Sequence, residues 1–239
     1  DGFPRPSATF GRTGLRYSLT VPELFETQLR ALVRASAHGP VRVMFPGVSG
    51  VDELREATER LRRVREELAR EGVPLEEVPV GSMIEIPSAA LRSHKLAESC
   101  DFFSVGTNDL IQHTLAVDRT DAGLTSLSSS LDPAVIELLQ MTAASAKARG
   151  IPLSMCGDMA ADPLALPVVL GLGFTQLSVP LGMIPMVQET IRRISMERCR
   201  EAVRAAAACT SARAVREAVV EAFSAELGEI WREQGVVTD

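Results

Sequence analysis

The chain has 239 residues, 46% of them hydrophobic and 23% charged, and a formal net charge of −6, enough to bury a sizeable core and unlike a disordered segment. It has no dense Lys/Arg block and no uninterrupted apolar run of membrane-spanning length, which sets aside nucleic acid, an anionic membrane and a transmembrane helix as themes. Cys100, Cys156, Cys199 and Cys209 form no C-x-x-C pair, and His38, His94 and His113 are scattered; the expectation is a reduced, cytoplasmic protein with free thiols and no zinc site.

The opening DGFPRPSATFGRTG lacks the basic-then-apolar layout of a signal peptide. Residues 1–13 read as a tail or linker, and 14–239 as one domain. GLRYSLT (14–20) reads as a strand feeding a helix over 22–36. VRVMF (41–45) is a buried strand closed by Pro46 and Gly47. Over 51–70 the residues Val51, Leu54, Ala57, Leu61, Val64 and Leu68 share one face opposite Glu and Arg, which specifies an amphipathic helix ended by Gly72. VPVGSMIEI (78–86) is a strand stopped by Pro87, SAALRSHKLAES a short helix, and DFFSVG (101–106) another strand. DPAVIELLQMTAASAKARG is a helix ending at Gly150. IPLSMCG (151–157) and TQLSVP (175–180) are strands, with helices around 162–171 and 184–195. A helix pair covers 196–234, its second member carrying Val215, Val219, Phe223, Leu227 and Trp231 every four residues. Such a stripe packs on the core, or less commonly on a second copy.

Strands that are nearly continuous in apolar residues fit a parallel sheet covered by helices. Repeated β-then-α units point to a barrel or a doubly wound sheet, and no Gly-rich dinucleotide fingerprint is present. Polar groups gather just past strand ends at Glu85, Gly106–Asp109 and Cys156–Asp158, as in the active sites of parallel barrels. Glu85 and Asp109 could form a hard-oxygen site for Mg²⁺; the plainer reading of the spacing is that Asp109 caps a helix and Glu85 meets a basic side chain. The GTND turn offers backbone N–H groups to an anion. Arg119 could add a guanidinium fork, but ten residues of unbroken helix would hold it about 15 Å from Asp109. The helix must be short, or Arg119 is a surface residue. Cys156 could exchange a proton with a substrate carbon, or be a small buried hydrophobe. Spacing leaves each of these pairs open.

GSMIEIPSAAL, DFFSVGTNDLIQHTLAVDR and MCGDMAADPLALPVVLGLGFTQLSV, with QLRALVRAS and VRVMFPGVSGVDEL, closely resemble the C-terminal domain of phosphoenolpyruvate-protein phosphotransferases, enzyme I of the bacterial sugar phosphotransferase system. The likeness runs from about residue 14 to about residue 222. It implies a (β/α)₈ TIM barrel that binds phosphoenolpyruvate and Mg²⁺, releases pyruvate, and forms a homodimer. Glu85 and Asp109 then match magnesium ligands, Asn108 and Arg119 match groups holding phosphate and carboxylate, and Cys156 matches the cysteine that protonates the enolate carbon. The phosphoryl group would pass to a histidine on a separate N-terminal domain and onward to a phosphocarrier protein. Pyruvate phosphate dikinases and phosphoenolpyruvate synthases share the glutamate motif and GTNDL.

The chain departs from this pattern in three places. Nothing resembles the two upstream barrel strands and their phosphate-binding Arg, so the first strands are expected to be missing or to come from elsewhere. The motif G-x-R-x-x-R appears as GRTGLR: Gly11 and Arg16 fit, but Thr13 stands where the first substrate-binding Arg belongs. CGE is CGD, with Asp158 as the last residue. These departures also allow a catalytically weakened dimerisation or regulatory module.

Overall fold

The structure, a computed structural model, describes residues 11–118 and 121–236. The elements follow in chain order: α1 (Gly14–Thr20), α2 (Pro22–Ala35), β1 (Val43–Phe45), α3 (Val51–Arg70), β2 (Val80–Ile84), α4 (Pro87–Leu91), α5 (Ser93–Leu96), β3 (Phe102–Gly106) and α6 (Thr107–Leu115). Then come α7 (Pro133–Arg149), β4 (Leu153–Cys156), α8 (Leu166–Leu172), β5 (Gln176–Leu177), α9 (Ile184–Arg193), α10 (Met196–Ala208) and α11 (Ala212–Glu233).

The strands form one sheet in the order β1-β2-β3-β4-β5, every neighbouring pair parallel. Each strand therefore lies beside the next one in sequence, joined by a helical crossover. One sheet face carries Val43, Phe45, Val80, Ile84, Phe103, Val105, Leu153 and Met155, all buried. The other is mixed: Met44, Met83 and Phe102 share it with small or polar residues that the register brings level, Ser104 beside Ser154 and Gly106 beside Cys156. The apolar face drives packing of the helical layer, and on the other face the small residues Gly106 and Cys156 stand at the C-terminal strand ends.

Several ends obey local rules. The Asp132 side chain accepts from Ala134 N–H, Pro133 opens α7, and Gly150 closes it with φ +71°. The α11 stripe Val215, Val219, Phe223, Leu227 and Trp231 is buried in the common core, so it packs within the chain.

Two sequence expectations need correction. Residues 14–20 are the helix α1, not a strand. Leu15, Tyr17 and Leu19 alternate as in a strand, but in a seven-residue segment tertiary contact outweighs that signal. Leu15 enters the core and its N–H donates to Pro46 O at 2.8 Å. The last strand spans only Gln176–Leu177, although Ser178 N–H still donates to Met155 O; Pro180 has no N–H to extend the ladder. The expected tail at 1–13 lies almost wholly outside the described residues.

Candidate active site at the strand ends

The register aligns the C-terminal ends of the central strands. Ile84 pairs with Val105 and Gly106 with Cys156, so Glu85, Gly106 and Cys156 stand in one row, about 4.8 Å apart from strand to strand. Glu85 is only 8% exposed. Its Oε1 accepts the Gly47 N–H at 2.6 Å, a donor presented by the tight turn after β1, where Gly47 has φ +69°. Its Oε2 lies over Gly106: a Cβ on that glycine would stand 2.8 Å away. The carboxylate thus reaches across the neighbouring strand because that strand has no side chain there.

The Cys156 thiol, half-buried, donates to Val105 O at 3.4 Å and lies 3.5 Å from Ser104 Oγ. Beyond the row, the GTND turn starts α6. Asp109 is the third residue of this helix, inside its first turn rather than at the capping position, where the helix dipole favours a negative charge. The N-cap position is Gly106, so Asp109 sits in the first turn without being the cap itself. Helix α6 stops at Leu115, with Ala116 left-handed at φ 54°. This removes the unbroken helix that would have separated Asp109 from Arg119. Arg119 itself lies outside the described residues.

Asn108 joins this turn to the one after β4. Its Oδ1 accepts Asp158 N–H at 2.8 Å, and its Nδ2 donates to Asp158 Oδ2 at 3.2 Å. Thr107 Oγ1 donates to Cys156 O at 3.3 Å. Beside them opens a pocket of about 230 Å³ bordered by Asn108, Ile111, Ser130, Asp158, Met159 and Asp162. A larger cavity of about 530 Å³ lies at the opposite, N-terminal end of β4 and takes no part in the site.

Arg16, from α1, sits beside the turn that follows β1. Its Nε donates to Glu53 Oε1 at 2.6 Å and its Nη2 to Ser49 Oγ at 2.8 Å. Burial pushes the Glu53 carboxyl up, but bonds from Arg16 and from the backbone and hydroxyl of Ser49 outweigh it and hold the carboxyl below its ordinary range. The backbone of Thr13 also packs against Gly47, next to the seat of Glu85.

No group of three or more His, Cys, Asp or Glu side chains is placed to hold a metal among the described residues. The expected donor set is smaller, two carboxylates, and Mg²⁺ takes one or two of these with waters and substrate oxygens. A buried carboxylate with one oxygen held by a backbone N–H fits that chemistry. Sequence reasoning missed the anchoring role of Gly47, the space supplied by Gly106, and the reach of Asp158 to Asn108. The Pro-Gly turn and the glycine in each loop were the available signals.

Comparison with known proteins identifies the lineage. Residues 7–196 match the family described as PEP-utilising enzyme, PEP-binding domain. The chain is 43% identical over 206 residues to a multiphosphoryl transfer protein of Rhodobacter capsulatus, covering 86% of this chain and 24% of that protein. It is 41% identical to the phosphoenolpyruvate-protein phosphotransferase of Priestia megaterium (77% of this chain, 32% of the relative) and 38% identical to that of Mycoplasma pneumoniae (92% and 38%). The chain thus spans 24% to 38% of the length of these relatives. A solved citrate lyase from Burkholderia xenovorans LB400 shares the fold at TM-score 0.53 and 17% identity, over 90% of this chain and 70% of that one. The chain belongs to the family of PEP-utilising enzymes, as a PEP-binding domain.

Proposed function

We propose that this chain is the phosphoenolpyruvate-binding catalytic part of an enzyme I-type phosphotransferase, residues 14–239 forming one barrel-type unit. The observation that carries the reading is the row at the strand ends: a buried Glu85 reaching across Gly106, in line with Cys156. Strand order supports the barrel, because each strand neighbours its successor; a doubly wound sheet reverses at a switch point. On this reading further strands complete a (β/α)₈ ring.

Glu85 and Asp109 would hold Mg²⁺. When bound, the ion supplies charge neutralisation to a trianionic substrate. Asn108, Arg119 and Arg16 bind and orient the phosphate and carboxylate, with Arg16 exchanging Glu53 for ligand oxygens. The phosphorus–oxygen bond of phosphoenolpyruvate breaks as a phosphorus–nitrogen bond forms to a histidine of a separate domain. Cys156 gives its proton to the methylene carbon, and pyruvate leaves. The longer protein would be a cytoplasmic homodimer serving a phosphocarrier protein; among the described residues no helix is long and apolar enough to cross a membrane.

Titration calorimetry of the 239-residue chain with phosphoenolpyruvate and Mg²⁺ tests the reading. Binding should require the metal and fall at least about a hundredfold in Glu85→Ala, as buried charge partners typically do. Absence of heat in the unaltered chain, or binding indifferent to Glu85, would defeat it. Thr13 supports a second reading, a weakened regulatory module, since this position beside the Gly47 turn holds no cation. Thr13→Arg should then strengthen binding.

A further inference from the structure

Asn108 and Asp158 hold each other across a joint too tight for any residue but glycine. Gly157 lies between the Cys156 and Asp158 ends of the turn with φ +99°, and a Cβ there would stand 2.5 Å from Thr107 Oγ1 and 2.8 Å from Asn108 Oδ1. This closeness lets one residue, Asp158, use two groups at once: its backbone N–H donates to Asn108 Oδ1, and its carboxylate accepts from Asn108 Nδ2. The two bonds run in opposite senses. Turning the amide over would set NH₂ against N–H and oxygen against carboxylate, so only one orientation satisfies both partners. An asparagine amide has two N–H donors. One goes to Asp158, which leaves the second for a ligand in the adjoining pocket.

This inference rests on the reading of Asn108 as a group that binds the substrate's anionic end. We propose that Asp158 is a positioning residue: acting through Asn108, it turns the amide so that the remaining N–H meets the bound anion. The sign of its effect separates this role from simple proximity. A carboxylate beside an anion site repels the anion, so its removal alone would tighten binding. A carboxylate that orients the donor weakens binding when it is lost.

Calorimetry with phosphoenolpyruvate and Mg²⁺ on Asp158→Ala and Asp158→Asn provides the test. Asp158→Ala should bind about tenfold more weakly, the scale of one charge-assisted hydrogen bond. Asp158→Asn keeps an acceptor oxygen and sheds the charge, and should recover the loss and bind about twofold more tightly than the unaltered chain. Tighter binding in Asp158→Ala would overturn the proposal. The ¹⁵N side-chain amide signal of Asn108 gives a second readout without ligand. It should move, and its protons exchange faster with water, in Asp158→Ala; an unchanged signal overturns the proposal whatever the calorimetry shows. A held amide in a chain that binds no phosphoenolpyruvate would instead remove the functional reading, and the positioning role with it.

Discussion

An added Cβ at Gly106 would stand 2.8 Å from Glu85 Oε2, 3.1 Å from Glu85 Cβ and 3.2 Å from Met83 Sδ. Backbone strain is not involved, since Gly106 has φ −89°. The carboxylate end could swing aside, but Oε1 is tied to Gly47 N–H, so moving one oxygen disturbs the other. Gly106→Ala should therefore cost the fold about 1–3 kcal/mol, as overpacking does, yet weaken metal-dependent ligand binding by more than tenfold. Urea unfolding and calorimetry measure the two effects separately. Equal binding in Gly106→Ala would mean that Glu85 does not need to lie over this glycine.

Helix α11 closes the core through an apolar stripe that ends at Trp231. This residue is fully buried, and its Nε1 donates to Pro163 O at 3.0 Å, tying the last helix to the segment just before α8. Trp231→Ala removes a large buried side chain and leaves that carbonyl without its donor. A loss of about 3–5 kcal/mol is expected, read by urea unfolding followed by circular dichroism because the chain has a single tryptophan. A loss under about 1 kcal/mol would contradict the docking of α11. At this scale local patterning served well: the helix at 51–70 and the caps of α7 follow from apolar spacing, Asp-Pro and Gly. It misled at 14–20, where a packing contact with the Pro46–Gly47 turn decides the conformation.

For the whole molecule, the site and the fold are linked through ligand binding. Phosphoenolpyruvate with Mg²⁺ at about 100 times its dissociation constant should add about 2.7 kcal/mol of stability, raising Tm by about 5–10 °C for a chain of this size. Chelation with EDTA should abolish the rise if the two carboxylates bind the ligand through the metal. A rise that survives chelation would point to arginine and amide contacts as the main binding groups.

The sequence by itself determined the parallel α/β class, the order and approximate bounds of most elements, and the gathering of Glu85, the GTND turn and the CGD turn at strand ends. These are readable because periodicity and turn residues act over a few positions. Only the tertiary structure decided which strands stand side by side, that Glu85 passes over Gly106 to be held by Gly47, that Arg16 rests on Glu53, and that Asp158 grips Asn108. Those contacts join residues 21 to 50 positions apart, and register and backbone approach at such separations arise from packing, which no local pattern encodes.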